Sequence, residues 1–216
     1  MIAEAKTGFQ QNSDGSQITL RADRVGALVT QDSTGKFYEL SRQGKVFTAS
    51  LQAGTALGTA LTSSAVTFTL YNPAGSGVNL SILQTVITLT ALQVTTANIQ
   101  MFTYAVNGIK GQAAPSSTTP LAAANIFPAL IGSGYSPAAQ VYTAATLPAT
   151  PVVARIFPLS AYCTATTQLA ETALHGIDYV EGALCLAPGT MVTIQGIAST
   201  TGVTGAISMS WAEIPV

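Results

Sequence analysis

The chain has 216 residues, of which 48% are hydrophobic and only 8% charged, with 8 Lys+Arg against 9 Asp+Glu. That is enough apolar material to bury a core without a metal or a disulfide, and it is the reverse of the low-hydrophobicity, high-charge composition of disordered chains. A net charge of -1 supplies no basic field to gather phosphates, so direct nucleic-acid binding is disfavoured as the main activity. A nearly neutral surface also does little to keep copies apart, which points to a protein that lives in an assembly.

Residues 1 to 45 hold 11 of the charged residues, and only Lys110, Arg155, Glu171, Asp178, Glu181 and Glu213 follow. The first stretch, Met1 to Lys6, has no basic region leading into an apolar run, so no secretory signal is expected. Asp14-Gly15 and Asp32-Ser33-Thr34-Gly35 are turn chemistry between short β-prone pieces at Gln17 to Arg21, Ala27 to Thr30 and Lys36 to Leu40. Residues 1–45 therefore read as a charged N-terminal arm of hairpins that borrows its packing from elsewhere. Residues 46–216 read as an all-β domain.

Residues 46 to 109 contain no Asp, Glu, Lys or Arg, yet Thr, Ser, Gln and Asn interrupt every window of about 20 residues that a spanning helix would need, so no transmembrane helix is expected. Ala65 to Tyr71 alternates at period two, which predicts Val66, Phe68 and Leu70 on a core face and Thr67, Thr69 and Tyr71 on a wet one. Asn72-Pro73-Ala74-Gly75-Ser76-Gly77 is a strong turn. Leu80, Ile82 and Val86 to Leu92 resume strand composition, and Asn98 to Val106 gives another β run ending at Asn107-Gly108, a two-residue hairpin signal. Five prolines between 111 and 150 predict a long, partly structured excursion, with Leu121 to Ala124 as a short helical turn. Val152 to Phe157, Ile177 to Leu186, Met191 to Ile197 and Val203 to Glu213 complete the strands. Many short strands with turn signals specify an antiparallel β-sandwich, jelly-roll-like in its expected form.

The residues that could carry chemistry are few. His175 is the only histidine, with Asp178 three residues on and Glu171 four back, but no Gly-x-Ser-x-Gly nucleophile motif accompanies it, so a loop or interface role is expected and no catalytic residue is assigned. Cys163, His175 and Cys185 lack paired metal-ligand spacing, and no metal or cofactor is expected. Both cysteines are expected to be reduced and buried. Glu171, Asp178 and Glu181 form the acidic cluster of the main domain, read as a solvated loop rather than a hydrolase or cation site. Arg21, Arg24, Arg42 and Lys45 are the local basic groups, placed equally well as solvated arm residues or as contacts to an acidic partner surface.

Three stretches, Leu20-Arg21-Ala22-Asp23-Arg24-Val25-Gly26-Ala27-Leu28-Val29, Leu70-Tyr71-Asn72-Pro73-Ala74-Gly75-Ser76-Gly77-Val78-Asn79-Leu80 and the C-terminal Ser208-Met209-Ser210-Trp211-Ala212-Glu213-Ile214-Pro215-Val216, resemble small virion structural proteins of tailed bacteriophages, a set that includes capsid decoration (cement) proteins. The resemblance implies a homo-oligomeric β-sandwich, often trimeric, seated on the major capsid protein at the virion surface and made in the host cytoplasm, with no direct nucleic-acid or membrane contact. It carries over no site residues, since none of the three phrases is a chemical motif. In this reading Arg21, Arg24, Arg42 and Lys45 lie near the capsid contacts of the arm. The alternative is a tail or fibre receptor-binding module with Tyr135, Tyr142 and Tyr162 stacking on sugars.

Overall fold

The computed structural model describes residues 35–58, 60–91, 98–107, 113–116, 119–122, 125–163, 175–198 and 204–216. Contacts divide the chain into two units, 1–39 and 40–216. The expected strands at Gln17 to Arg21 and Ala27 to Thr30, with Arg21 and Arg24, lie outside the described residues. Arg42 and Lys45, assigned to the arm from sequence, belong to the second unit.

Lys36 to Leu40 is not a strand. A short helix, α1, runs from Tyr38 to Arg42, with Glu39 in its first turn and Arg42 in its last, both signs suited to the helix dipole. Its end is a Schellman motif. Gly44 adopts φ +71°, its N–H donates to the Ser41 carbonyl at 3.0 Å, and the Lys45 N–H donates to Leu40 O at 2.9 Å. The Tyr135 ring covers this turn so closely that a Cβ on Gly44 would lie 2.5 Å from it.

Residues 46–216 form an all-β sandwich of two antiparallel sheets. The strands are β1 (Val46–Ser50), β2 (Thr55–Ala56), β3 (Phe68–Asn72), β4 (Val78–Ala91), β5 (Asn98–Asn107), β6 (Thr119–Pro120), β7 (Ile126–Pro128), β8 (Gln140–Thr143), β9 (Val152–Cys163), β10 (His175–Tyr179), β11 (Cys185–Leu186), β12 (Thr190–Ala198) and β13 (Thr204–Pro215). One sheet has the order β10-β4-β13-β1-β7, with β11 also on β4 and β2 also on β13. The other has the order β6-β8-β3-β12-β5-β9. Phe47, Leu80, Ile82, Ile87, Met209 and Trp211 from the first sheet meet Phe68, Leu70, Val141, Val192 and Ile194 from the second in one buried core. Period-two alternation directs these chains inward, as in β13, where Ile207, Met209 and Trp211 are buried and Ser208 and Ser210 between them are not.

Several expected elements change under tertiary packing. All five residues of β3 are buried, Thr69 and Tyr71 included, because a second cluster of Val66, Tyr71, Leu147 and Met191 covers the outer side of that sheet. Leu80 and Ile82 lie with Val86 to Ala91 in one long strand rather than two, with a bulge at Leu83, between the pairings Ile82 with Trp211 and Gln84 with Ser210, and Leu92 lies outside the described residues. The bulge switches the inward parity from Leu80 and Ile82 to Thr85, Ile87 and Leu89. Of the expected Asn107-Gly108 hairpin, Gly108 lies outside the described residues; the strand leading to it, β5, has β12 on one edge and β9 on the other. Ile177 to Leu186 is two strands, separated where Glu181 and Gly182 take positive φ. β9 runs past Pro158 because it is an edge strand whose register shifts between Phe157 and Ala161, where a missing N–H costs no ladder bond. Within the expected helical turn, Asn125 N–H donates to Ala122 O at 2.8 Å, while residues 123–124 lie outside the described residues. The proline-rich excursion itself supplies β6 and β8 to one sheet and β7 to the other.

Candidate functional site

Three polar devices hold the sandwich, and each uses a residue that sequence reasoning left out or assigned elsewhere. The turn after β3 carries the chain from one sheet to the other. Asn72, fully buried, donates from Nδ2 to Val78 O at 2.8 Å and Leu186 O at 2.9 Å, and its Oδ1 accepts from Ser76 Oγ at 2.6 Å. Gly75 and Gly77 both sit at positive φ, so the Asn72 to Gly77 stretch is a sheet-crossing corner pinned by one amide.

Glu213 continues the inward face of β13 and is buried among apolar chains. Its Oε1 accepts from the Ala139 N–H at 3.0 Å and from Trp211 Nε1 at 3.2 Å, and its Oε2 accepts from the Ala138 N–H at 2.9 Å. A carboxylate at a core position thereby ties the stretch of the proline-rich excursion just before β8 to β13 and satisfies the indole that stacks on Phe47. The sequence signal was present, since Glu213 breaks an otherwise apolar alternation.

Asp178 points inward from β10, and Arg155 of β9 reaches it with two parallel hydrogen bonds, Nε to Oδ2 and Nη2 to Oδ1, both 2.9 Å. This bidentate pair joins the edge strand of one sheet to the edge strand of the other. Of the acidic residues grouped from sequence, the two that are described have different settings. Asp178 is buried against Arg155, Glu181 is an exposed turn residue, and Glu171 lies outside the described residues. Among the described residues, no three His, Cys, Asp or Glu side chains gather to hold a metal ion.

Cys185 is exposed, which corrects the expectation of burial. It opposes Ser81 at the outward position of two-residue β11, while its neighbour Leu186 takes the inward one. The backbone of His175 starts β10 opposite Thr88, so this position is in an edge strand, not a loop. Tyr135 and Tyr142 do not converge on a common platform. The first packs on Gly44, and the second lies on β8 of the other sheet, bonded to Gln140 and partly buried against Tyr71. Burial, and next the neighbouring Tyr71, raise the Tyr142 phenol above the usual 10.0. Of Tyr162, only the backbone on β9 is described.

The extended surface that remains is the outer face of the seven-stranded sheet. Register aligns its outward residues in rows across five strands: Phe127, Thr48, Ser210, Gln84 and Tyr179 in one, and Ser50, Ser208, Val86 and Ile177 in the next. Further along stand Ala206 with Thr88; in the other direction Val46 and Ala212 are buried, and the open face ends before them, with Ser81 and Cys185 beyond on β4 and β11. None of these residues is charged. The hydroxyls bond sideways to each other, Ser50 to Ser208 at 2.8 Å, Ser210 to Thr48 at 3.0 Å and Thr90 to Thr204 at 2.9 Å. Bulk is confined to the margins, where Phe127, Ile177 and Tyr179 are exposed.

No family, curated protein or solved structure matches the chain. The functional reading therefore rests on this surface and on the sequence.

A cleft of about 250 Å³ lies beside this sandwich core, lined by Leu57, Thr62, Val66 and Gln195 among others. Its main polar side chain is already engaged. Gln195 accepts from the Thr62 N–H at 2.8 Å and donates to the Thr62 carbonyl at 2.9 Å, which closes a loop and presents nothing to a ligand.

Proposed function

We propose that the chain is a non-enzymatic structural subunit of a virion, a head decoration protein that seats on the major capsid protein and stabilises the shell. The observation that carries this reading is the uncharged, laterally hydrogen-bonded sheet face, five strands wide and edged by exposed Phe127, Ile177 and Tyr179. Such a face suits neutral contacts between copies that salt does not screen, which leaves residues 1–45 to reach the shell, and an extended neutral surface suits repeated packing better than the concave, convergent site of an enzyme. The sequence resemblance to phage virion proteins and the scarcity of charge support the same reading. The mechanism is mass action: a protein that binds only the mature shell stabilises that state in proportion to its affinity.

Co-sedimentation of the full chain with bare capsid shells at low and high salt tests it. Equal occupancy at both salts is expected. Failure to bind shells at either salt overturns the decoration role, and adsorption to whole host cells or glycans instead would move the protein to the tail. Deleting residues 1–45 is expected to abolish shell binding, and undiminished occupancy would remove the N-terminal segment from the contact.

A further inference from the structure

We infer that the outer face of the seven-stranded sheet binds the same face of a second copy of the chain, with the Ile177 and Tyr179 ridge of each copy resting on the small-residue trough of the other. The inference deepens the structural-subunit reading above and rests on it. The trough is formed by Ala206, Ser208 and Ser210 of β13, and the ridge stands at the β10 margin, where Tyr179 is 65% and Ile177 41% exposed. A face with no charge meets its own copy without like-charge repulsion, which a charged face could not do. Because Ser50, Ser208, Ser210 and Thr48 already bond to one another, covering them strands few polar groups, and the dehydration cost is low. Five strands at about 4.8 Å spacing, over the stretch Thr204 to Ser210 of β13 at about 3.3 Å per residue, offer on the order of 500 Å² per copy, close to the ~1,000 Å² in total that a specific interface requires. A two-fold arrangement also uses every favourable contact twice, so no single strong anchor is needed.

The mass of the full chain, measured by light scattering and sedimentation equilibrium over a range of concentrations, tests this together with Ser208→Lys, Ser210→Lys and a control, Ile156→Lys, on exposed β9 of the other sheet. Self-association of the wild type is expected to weaken at least about tenfold in either serine variant, each with native Trp211 emission, and to be unchanged in the control. Cys185, outward beside Ser81, gives a readout that needs no variant: its reaction with a thiol reagent, followed on its own peptide, is expected to slow as the mass rises. A folded Ser208→Lys or Ser210→Lys that associates like the wild type overturns the inference, as does an oligomer whose Cys185 reacts as fast as in the diluted chain. A wild-type monomer at every concentration also overturns it, and shell binding by that monomer would leave the decoration reading standing. An associating wild type that ignores shells would do the reverse.

Discussion

Replacing Glu213 tests whether a carboxylate inside the sandwich organises it. In Glu213→Ala three donors lose their acceptor: the Ala139 N–H and Trp211 Nε1, both buried, and the Ala138 N–H, partly buried. The two buried donors cost about 1–3 kcal/mol each when left unpaired, while the Ala138 N–H recovers water, so a loss of about 2–6 kcal/mol is expected. Glu213→Gln keeps an oxygen for Ala139 and Trp211 but turns an amide N–H toward that of Ala138, for an expected loss of about 1–2 kcal/mol. Trp211 is the only tryptophan and is fully buried, so its emission reports the transition directly. Urea denaturation followed at this residue should order the stabilities wild type, Glu213→Gln, Glu213→Ala, with the melting temperature of the last lower by about 10 °C. An alanine variant within about 1 kcal/mol of wild type would refute the account, because it would mean that the 138–139 segment holds its place without the carboxylate.

Three further outcomes follow from the same geometry. Asn72→Ala should cost about 2–4 kcal/mol in denaturant titration, since the Val78 and Leu186 carbonyls and the Ser76 hydroxyl lose one shared partner. Thr85→Val should raise stability by about 1 kcal/mol, because the Thr85 hydroxyl is fully buried in the core with no hydrogen-bond partner among the described residues; a loss of stability in the same titration would show that the hydroxyl has a partner. Tyr142 gives a pH effect of known sign. Its folded pKa is raised, so the folded state favours the neutral phenol, and this contribution is complete below the usual 10.0 and lost as pH rises through the higher folded value. Stability should therefore fall more steeply above pH 10 in the wild type than in Tyr142→Phe, as measured by denaturation at a series of alkaline pH values.

The legible part of the sequence was its periodicity and punctuation. Val66 to Leu70, Met191 to Ile197 and the last strand through Glu213 were visible as β because alternation is a local property, and the Asn72 to Gly77 turn was visible because proline and glycine act on their own backbone. Local pattern misled where only a neighbour decides. Thr69 and Tyr71 read as a wet face until the Leu147 and Met191 cluster covered them. Lys36 to Leu40 has the composition of a strand, yet Gly44 three residues beyond Ser41 ends a helix there, a signal that could have been used.

The amino-acid sequence by itself determined the class of the protein: a neutral, apolar, β-rich chain whose surface chemistry is hydroxyl and amide rather than charge. Those properties depend on composition and on period-two spacing, which need no knowledge of partners. Only the tertiary structure decided which residues act together. Arg155 and Asp178 are 23 positions apart and meet because their edge strands stack; Glu213 reaches Ala139 across 74 positions; and the outward Ser, Thr and aromatic residues become one face because the register of β7, β1, β13, β4 and β10 lines them up. Long-range strand order sets these contacts, and it is fixed by the balance of all pairings at once rather than by any local stretch of chain.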